Sequence, residues 1–452
     1  MKKSIGEGVV SMKHEKFSYN TIDELNAKIT ELGLDSIPLS DDLSVLNEKF
    51  VADGHEFENR IAIQPMEGCD GTFAGSPDEL TYRRYRRFAE SGAALIWLEA
   101  TAIVNEGRAN PRQLLLNEAT IEDFKKLLDD IRETSMKRNG FAPKIFVQAT
   151  HSGRYAKPEG KPAPMIAYNN PIFEKDNPIN KSRIVSDDYL KQLSEKYGEA
   201  TSLAQKAGFD GIDVKCCHRY LFSELLSAFN REGDYGGSFE NRTRLFLDSV
   251  KNAKSVADDG FIVTSRMNVY DGFPRPNGFG VGEEGVEPDL TEPKKLVRIL
   301  HKELGVNILD ITIGNPYFNP HVNRPYDSGG YVPDEHPLEG VNRMYKCVGE
   351  IQKAFPDLCV IGSGVSYMRQ FSANLAAGAV KSGLITMQGF GRESFAYPDF
   401  PHDIFEKGQL EANKCCITCG KCTELMRAGT VAGCVIRDSE KYLPIYKEYC
   451  MK

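Results

Sequence analysis

The chain of 452 residues is 41% hydrophobic and 27% charged and carries a formal net charge of -8. That composition supplies a large core and excludes wholesale disorder, while the acidic balance argues against nucleic acid or an anionic membrane as partner. No run of about 18 apolar residues occurs, and the opening MKKSIGEGVVSMKHEKF lacks the apolar stretch of a secretion signal, so a cytoplasmic location is expected.

In chain order, residues 1–50 read as an N-terminal extension with a helical pattern over Thr21 to Leu32 and a loop around Ser36 to Asp42, and no chemistry is assigned to them. From about residue 58 short apolar runs alternate with longer amphipathic stretches, the mark of repeated βα units and a parallel sheet. Eight such runs are counted: Ile61 to Met66, Ala94 to Glu99, Lys144 to Ala149, Phe209 to Lys215, Phe261 to Arg266, Asn307 to Thr312, Leu358 to Gly362 and Gly383 to Gln388. Between the third and fourth runs' neighbours, Asp187 to Ala207 repeats Leu190, Leu193, Tyr197, Ala200 and Ala204 at helical spacing. Eight βα units predict a closed α/β (β/α)8 TIM barrel, placed over residues 51–408, with a cysteine-bearing segment over 409–452.

A barrel carries its site at the C-terminal ends of the strands, and those ends are polar or glycine-rich here. Strand one ends in Pro65-Met66-Glu67-Gly68, strand three in Gln148-Ala149-Thr150-His151, strand four in Lys215-Cys216-Cys217-His218 and strand five in Arg266. Of eleven cysteines, five crowd into Cys415, Cys416, Cys419, Cys422 and Cys434, which in a cytosolic chain points to metal before disulfides. The spacing Cys416-x2-Cys419-x2-Cys422-x11-Cys434 suits an iron-sulfur cube, and four thiolates suit zinc as well. Cys415-x3-Cys419-x2-Cys422 also spells a radical-SAM signature, against which stand the barrel ahead of it and the fourth cysteine. Cys69, Cys216, Cys217, Cys347, Cys359 and Cys450 are read as core or surface thiols.

One segment is far more specific. Tyr220-Leu221, Asn230-Arg231 and the run Asp234-Tyr235-Gly236-Gly237-Ser238-Phe239-Glu240-Asn241-Arg242-Thr243-Arg244 match a signature of the Old Yellow Enzyme family almost throughout. Asn59-Arg60 with Pro65-Met66, the Gln148…His151-Ser152-Gly153-Arg154 group and Gly391-Arg392 before Pro398-Asp399 agree with it. The chain resembles the iron-sulfur branch of that family, the group of 2,4-dienoyl-CoA reductase and trimethylamine dehydrogenase, over roughly residues 45 to 440.

The resemblance implies FMN across the barrel mouth, with Pro65, Met66, Glu67 and Ala100 beside the ring, Gln148 at its pyrimidine edge and Arg266 near N1 and O2. A guanidinium there stabilises the anionic reduced ring. Ser363, Gly364, Gly391 and Arg392 would hold the phosphate. It also implies that Lys215 and His218 grip a substrate oxygen while Tyr220 donates a proton to carbon. Lys215 departs from the family's usual histidine or tyrosine and Glu67 from its threonine or cysteine, so the two are expected to compensate each other across the pocket. Arg219 replaces the glycine of the family's GYL triplet; it is read either as added positive charge at the mouth or as a solvent-facing side chain. Tyr317 and His321, after strand six, are candidate substrate contacts.

The branch implies a 4Fe-4S cluster on Cys416, Cys419, Cys422 and Cys434, with Cys415 as a rival for the first position. No Gly-x-Gly-x-x-Gly opens a βαβ unit, so electrons are expected from NAD(P)H over the flavin or from a separate ferredoxin, flavodoxin or reductase subunit. The leading expectation is a flavin ene-reductase acting on an enone, enoate or enoyl thioester. The alternatives are amine-dehydrogenase-like oxidation, disfavoured by the positive charge of Lys215 and Arg219 and by the single Trp97, and an electron-transfer subunit with no substrate of its own. Homo-oligomerisation is compatible with the sequence.

Overall fold

In the computed structural model, which describes residues 14–451, eight parallel strands close into a barrel. A two-stranded hairpin comes first, β1 (Phe50–Ala52) and β2 (His55–Phe57), turning at Asp53 and Gly54, both left-handed at φ 49 and 75. Asp-Gly between paired strands is a strong hairpin signal, and the sequence reading overlooked it. The barrel strands are β3 (Ile61–Ile63), β4 (Leu95–Ala102), β5 (Lys144–Thr150), β6 (Gly211–Val214), β7 (Ile262–Tyr270), β8 (Ile308–Ile313), β9 (Cys359–Gly362) and β10 (Met387–Phe390). β10 closes the ring by pairing Gln388 to Phe390 with Ile61 to Ile63.

Strands of a covered parallel barrel are apolar on both faces, and β4 shows how one strand serves two cores. Leu95 and Trp97 point to an inner cluster with Phe146, Ile262, Ile308 and Ile361, while Ile96 and Leu98 join the outer shell beneath the helices. The hairpin plugs the inner cluster: Phe57 is buried in it, and Phe50 stacks on Phe57 at 5.1 Å. Helix Asp187–Ala207 buries the five positions its spacing singled out, starts on a Ser186 cap and stops at Gly208, φ 94.

All eight runs become strands, but several edges move: β3 stops at Ile63, short of Met66, and β4 runs on to Ala102, past Glu99. The last lies over 387–390, not 383–388, because Leu384 caps the preceding helix through Ala379 O (2.9 Å) and Gly383 turns left-handed at φ 70. β7 runs four residues past Arg266 with an irregularity between Asn268 and Tyr270.

Beyond the barrel, helices Lys421–Arg427 and Ser439–Cys450 enclose a small core of Leu425, Val431, Val435, Tyr442 and Tyr446. This segment is pinned to the barrel mouth. Asp438 takes Arg83 and Arg87 (2.7 and 2.6 Å), Ala432 N donates to Gly68 O (2.7 Å), and Cys416 N donates to Glu393 Oε2 (2.9 Å). Among the described residues no helix is long and apolar enough to cross a membrane.

Candidate active site

The strand ends frame a cleft of about 130 Å³ lined by Gln64, Pro65, Met66, His218, Arg266, Arg324, Ser363, Gly364, Gly391 and Arg392, among others. Its floor is a buried polar network. Asp310, from β8, lies 3.1 Å from Arg266 Nε and accepts from Gln64 Nε2 (3.0 Å) and Ser363 Oγ (2.9 Å). Burial pushes its carboxyl up to about 6 against the pull of Arg266. Asp213, from β6, accepts from Trp97 Nε1 (3.0 Å), Gln148 Nε2 (2.7 Å) and Arg266 N (2.8 Å), and burial raises it to about 7. Arg266 is thus fixed from both sides before anything enters the cleft.

The turn after β9 is built for close approach. Gly364 sits at φ 82, and a Cβ there would stand 3.0 Å from Met344 Cε, so only glycine fits comfortably. Gly391 then leads into the short helix Arg392–Ala396, so backbone amides and the Arg392 guanidinium stand together on the cleft wall.

The end of β6 gathers the substrate candidates. Lys215 is buried with Nζ 3.9 Å from the Tyr220 ring centroid, and burial lowers its pKa, opposed by Cys217 and Glu67. His218 takes a left-handed backbone (φ 64), and its buried Nε2 has no partner in the cleft wall. Burial, then the cations of Arg266 and Lys215, hold its pKa well below the usual range, so the imidazole is neutral. Tyr220 shares a 2.8 Å hydrogen bond with Tyr317 OH, and burial raises its pKa well above 10. Tyr155, overlooked in the sequence, stacks on Tyr317 at 4.0 Å and receives Asn315 Nδ2 (2.8 Å).

Glu67 follows the lining residues Pro65 and Met66 in the chain and accepts from Asn110 Nδ2 (3.1 Å). Its carboxyl is raised to about 7 by burial, with Lys215 pulling the other way. The two feel each other without forming a contact ion pair among the described residues. Other predicted residues lie apart from the cleft lining. Gln148 is tied to Asp213, Ala100 O receives Gln113 Nε2 (3.0 Å), and His321 faces Glu335 (3.0 Å) and Tyr326. Both readings of Arg219 are corrected: it is fully buried, paired with Asp271 (3.0 Å) and bonded to Ser227, so it neither faces solvent nor charges the mouth. Its φ of 58 explains a glycine preference there; arginine bears the strain of about 1–2 kcal/mol.

Gln64, Asp213 and Asp310 were missed although a signal existed: each is a polar side chain inside an otherwise apolar strand run.

A second, small cavity of about 20 Å³ is lined by Cys416, Cys419, Cys422 and Cys434 together with Phe395 and Arg437. Cys415 turns away from it, its Sγ donating to Glu411 O (3.4 Å). Among the described residues no three His, Cys, Asp or Glu side chains converge as ligands of one ion; the four thiols are spread around a shared space. Arg392 lines both cavities.

These residues fit a flat, phosphate-bearing group: an orphaned imidazole nitrogen, a glycine turn, and the guanidinium groups of Arg266, Arg324 and Arg392 line one cleft. Residues 51–296 match the profile of the NADH:flavin oxidoreductase / NADH oxidase family. The chain is 28% identical over 399 residues to bilirubin reductase of Mediterraneibacter gnavus, covering 86% of this chain and 56% of that one. It is 26% identical over 397 residues to cinnamate reductase of Clostridium sporogenes, covering 84% and 55%. Its fold is similar to that of a 2-naphthoyl-CoA reductase (TM-score 0.70, 18% identity, covering 87% of this chain and 57% of that one). The chain spans about half the length of the curated relatives it matches.

Proposed function

Since the chain belongs to the NADH:flavin oxidoreductase / NADH oxidase family, we propose that it is an FMN-dependent ene-reductase acting on an enone, enoate or enoyl thioester. The observation that carries this reading is the meeting of Lys215, a neutral His218 and a protonated Tyr220 at one strand end beside the cleft. FMN, when bound, supplies hydride. Gln64, Pro65, Met66, Arg266, Ser363, Gly364, Gly391 and Arg392 hold it, with Glu67, Ala100 and Gln148 nearby. Arg266 sets a fixed positive charge where negative charge accumulates.

Lys215 and His218 bind the oxygen of the activating carbonyl and draw charge onto it, and the unpartnered His218 Nε2 is the donor free to do so. Tyr220 then hands its proton to the far carbon. That cinnamate reductase is a relative agrees with an enoate substrate, and Lys215 is the cation that would face its carboxylate. Oxidation of a cationic amine is opposed by the same lysine and by the burial of Trp97 in the barrel interior.

The four thiols of Cys416, Cys419, Cys422 and Cys434 are proposed to hold a 4Fe-4S cluster; their common cavity and the exclusion of Cys415 from it support that set. Electrons would come from NADH or NADPH, or from a separate ferredoxin, flavodoxin or reductase subunit.

Anaerobic purification followed by absorbance, iron and sulfide analysis, and reduction with each nicotinamide tests the cofactors and donor together. Flavin plus matched iron and sulfide is expected, and reduced protein should then convert cinnamate or cyclohexenone. A colourless protein that refuses FMN would overturn the reading. Cys434→Ser should lose iron and sulfide while keeping flavin; Cys415→Ser should keep all three. Zinc in place of iron would refute the cluster.

A further inference from the structure

Two adjacent thiols, Cys415 and Cys416, compete for one position in the cysteine segment, and the peptide bond between them is held at both of its polar groups. The carbonyl of Cys415 accepts from Arg437 Nε (3.2 Å), and the N–H of Cys416 donates to Glu393 Oε2 (2.9 Å). A peptide unit is planar, so fixing its C=O and its N–H fixes the plane, and with it the directions in which the two side chains leave the chain. Cys415 is sent into the outer core, fully buried, with Sγ donating to Glu411 O (3.4 Å). Cys416 is sent into the cavity it shares with Cys419, Cys422 and Cys434.

The two clamping side chains come from opposite sides of the segment, and neither lines the cleft at the strand ends. Glu393 is buried on the short helix Arg392–Ala396, so its carboxyl is carried by the barrel. Arg437 follows the last cysteine of the four: its own N–H donates to Cys434 Sγ (3.3 Å), while its guanidinium reaches back 22 residues to the Cys415 carbonyl. One residue thus ties the start of the set to its end. The turn beyond the pair is fixed as well. Thr418, left-handed at φ 54, donates its hydroxyl to Asp327 Oδ1 (3.2 Å), and the other oxygen of Asp327 takes Arg369 Nη2 (2.7 Å).

We propose that Glu393 and Arg437 are positioning residues that select Cys416, and not its neighbour Cys415, as the first ligand of the iron-sulfur cluster, by clamping the peptide between the two. The inference rests on the cluster reading above. Exchanging the thiols requires that peptide to turn over. The turn breaks both bonds at once, strands the buried Glu393 carboxyl without its donor and draws Cys415 out of the apolar shell it fills. A buried polar group left unmet bears its full desolvation cost, which the clamped arrangement avoids. Spacing alone does not choose, since either thiol stands within a few residues of Cys419.

The test releases the clamp and asks which thiol the cluster then needs. With the clamp intact, C416S should lose iron and sulfide on anaerobic purification, because Cys415 is held out of the cavity. In E393A/R437M, where the Arg437 backbone N–H still meets Cys434, iron release to an added chelator should be about 10–100-fold faster than in the wild type. The dithionite-reduced double variant should give two overlapping electron paramagnetic resonance signals where the wild type gives one. Adding C415S to it should leave the wild-type signal alone; adding C416S should leave the other signal, with iron and sulfide retained. E393Q keeps an oxygen for the Cys416 N–H and should behave as the wild type. The single variants E393A and R437M carry the same comparison with one bond left in place, should the pair together prevent folding, and flavin content reports separately on the barrel. Full iron and sulfide in C416S, or their loss from the released protein on adding C416S but not C415S, would overturn the selection. Zinc, or no metal, in the wild type would instead overturn the cluster reading itself.

Discussion

Replacing Tyr220 with phenylalanine should lower alkene reduction by about 10²–10⁴-fold, in single and repeated turnover alike, while flavin content and reduction by NAD(P)H stay as in the wild type. The size follows from the loss of a positioned acid, and the selectivity follows from geometry. The ring packs under Lys215 and beside Tyr155 and Tyr317, and phenylalanine preserves those contacts while deleting the hydroxyl that meets Tyr317. Transient absorbance of the flavin separates the two half-reactions. Equal slowing of both would mean that the substitution had disturbed the cleft itself, and unchanged alkene reduction would remove Tyr220 from the chemistry.

The second large effect is on stability. Arg84→Met should cost about 3–5 kcal/mol, read as a lower urea midpoint, because it strands two buried carboxylates. Arg84 Nη2 bonds Asp70 (2.7 Å) and Glu99 (2.6 Å), and all three side chains are 4% exposed or less. The same cluster seats the loop after β3: Gly68 N donates to Glu99 Oε2 (2.7 Å). A Cβ on Gly68 would stand 2.2 Å from Arg84 Nη2, so the guanidinium occupies the space a larger residue needs. Met66 and Glu67 ride on that loop, so retention of flavin should weaken along with stability. A loss below about 1 kcal/mol would show that the carboxylates find other partners, as exposed pairs do.

Much of this was legible in the sequence because it is local. Periodicity located the eight strands and the helix Asp187–Ala207, whose caps Ser186 and Gly208 sit beside it in the chain. The crowding of cysteines anticipated that Cys416, Cys419, Cys422 and Cys434 share one cavity. What stayed hidden depends on partners distant in the chain. Arg219 could not be placed without Asp271, 52 residues on, and the rank of Cys415 against Cys416 depends on how the segment folds back over Glu393. The floor carboxylates Asp213 and Asp310 looked like interruptions in apolar strands; their meaning emerges only when Arg266 is brought between them. The shift of β10 has a local cause that propensity conceals, since Leu384 looks like strand yet its N–H still closes the end of the preceding helix on Ala379 O.

The clamp between Asp438 and Arg83 joins residues 355 apart, and it lies beside the bond from Ala432 to the Gly68 carbonyl. Contacts so remote carry a heavy loop-closure penalty and form only after most of the chain has collapsed. The loop carrying Met66 and Glu67 therefore has two braces of different reach: the Arg84 cluster, drawn from residues near it in the chain, and this clamp, which can close only after residues 432 to 438 have folded back onto the barrel.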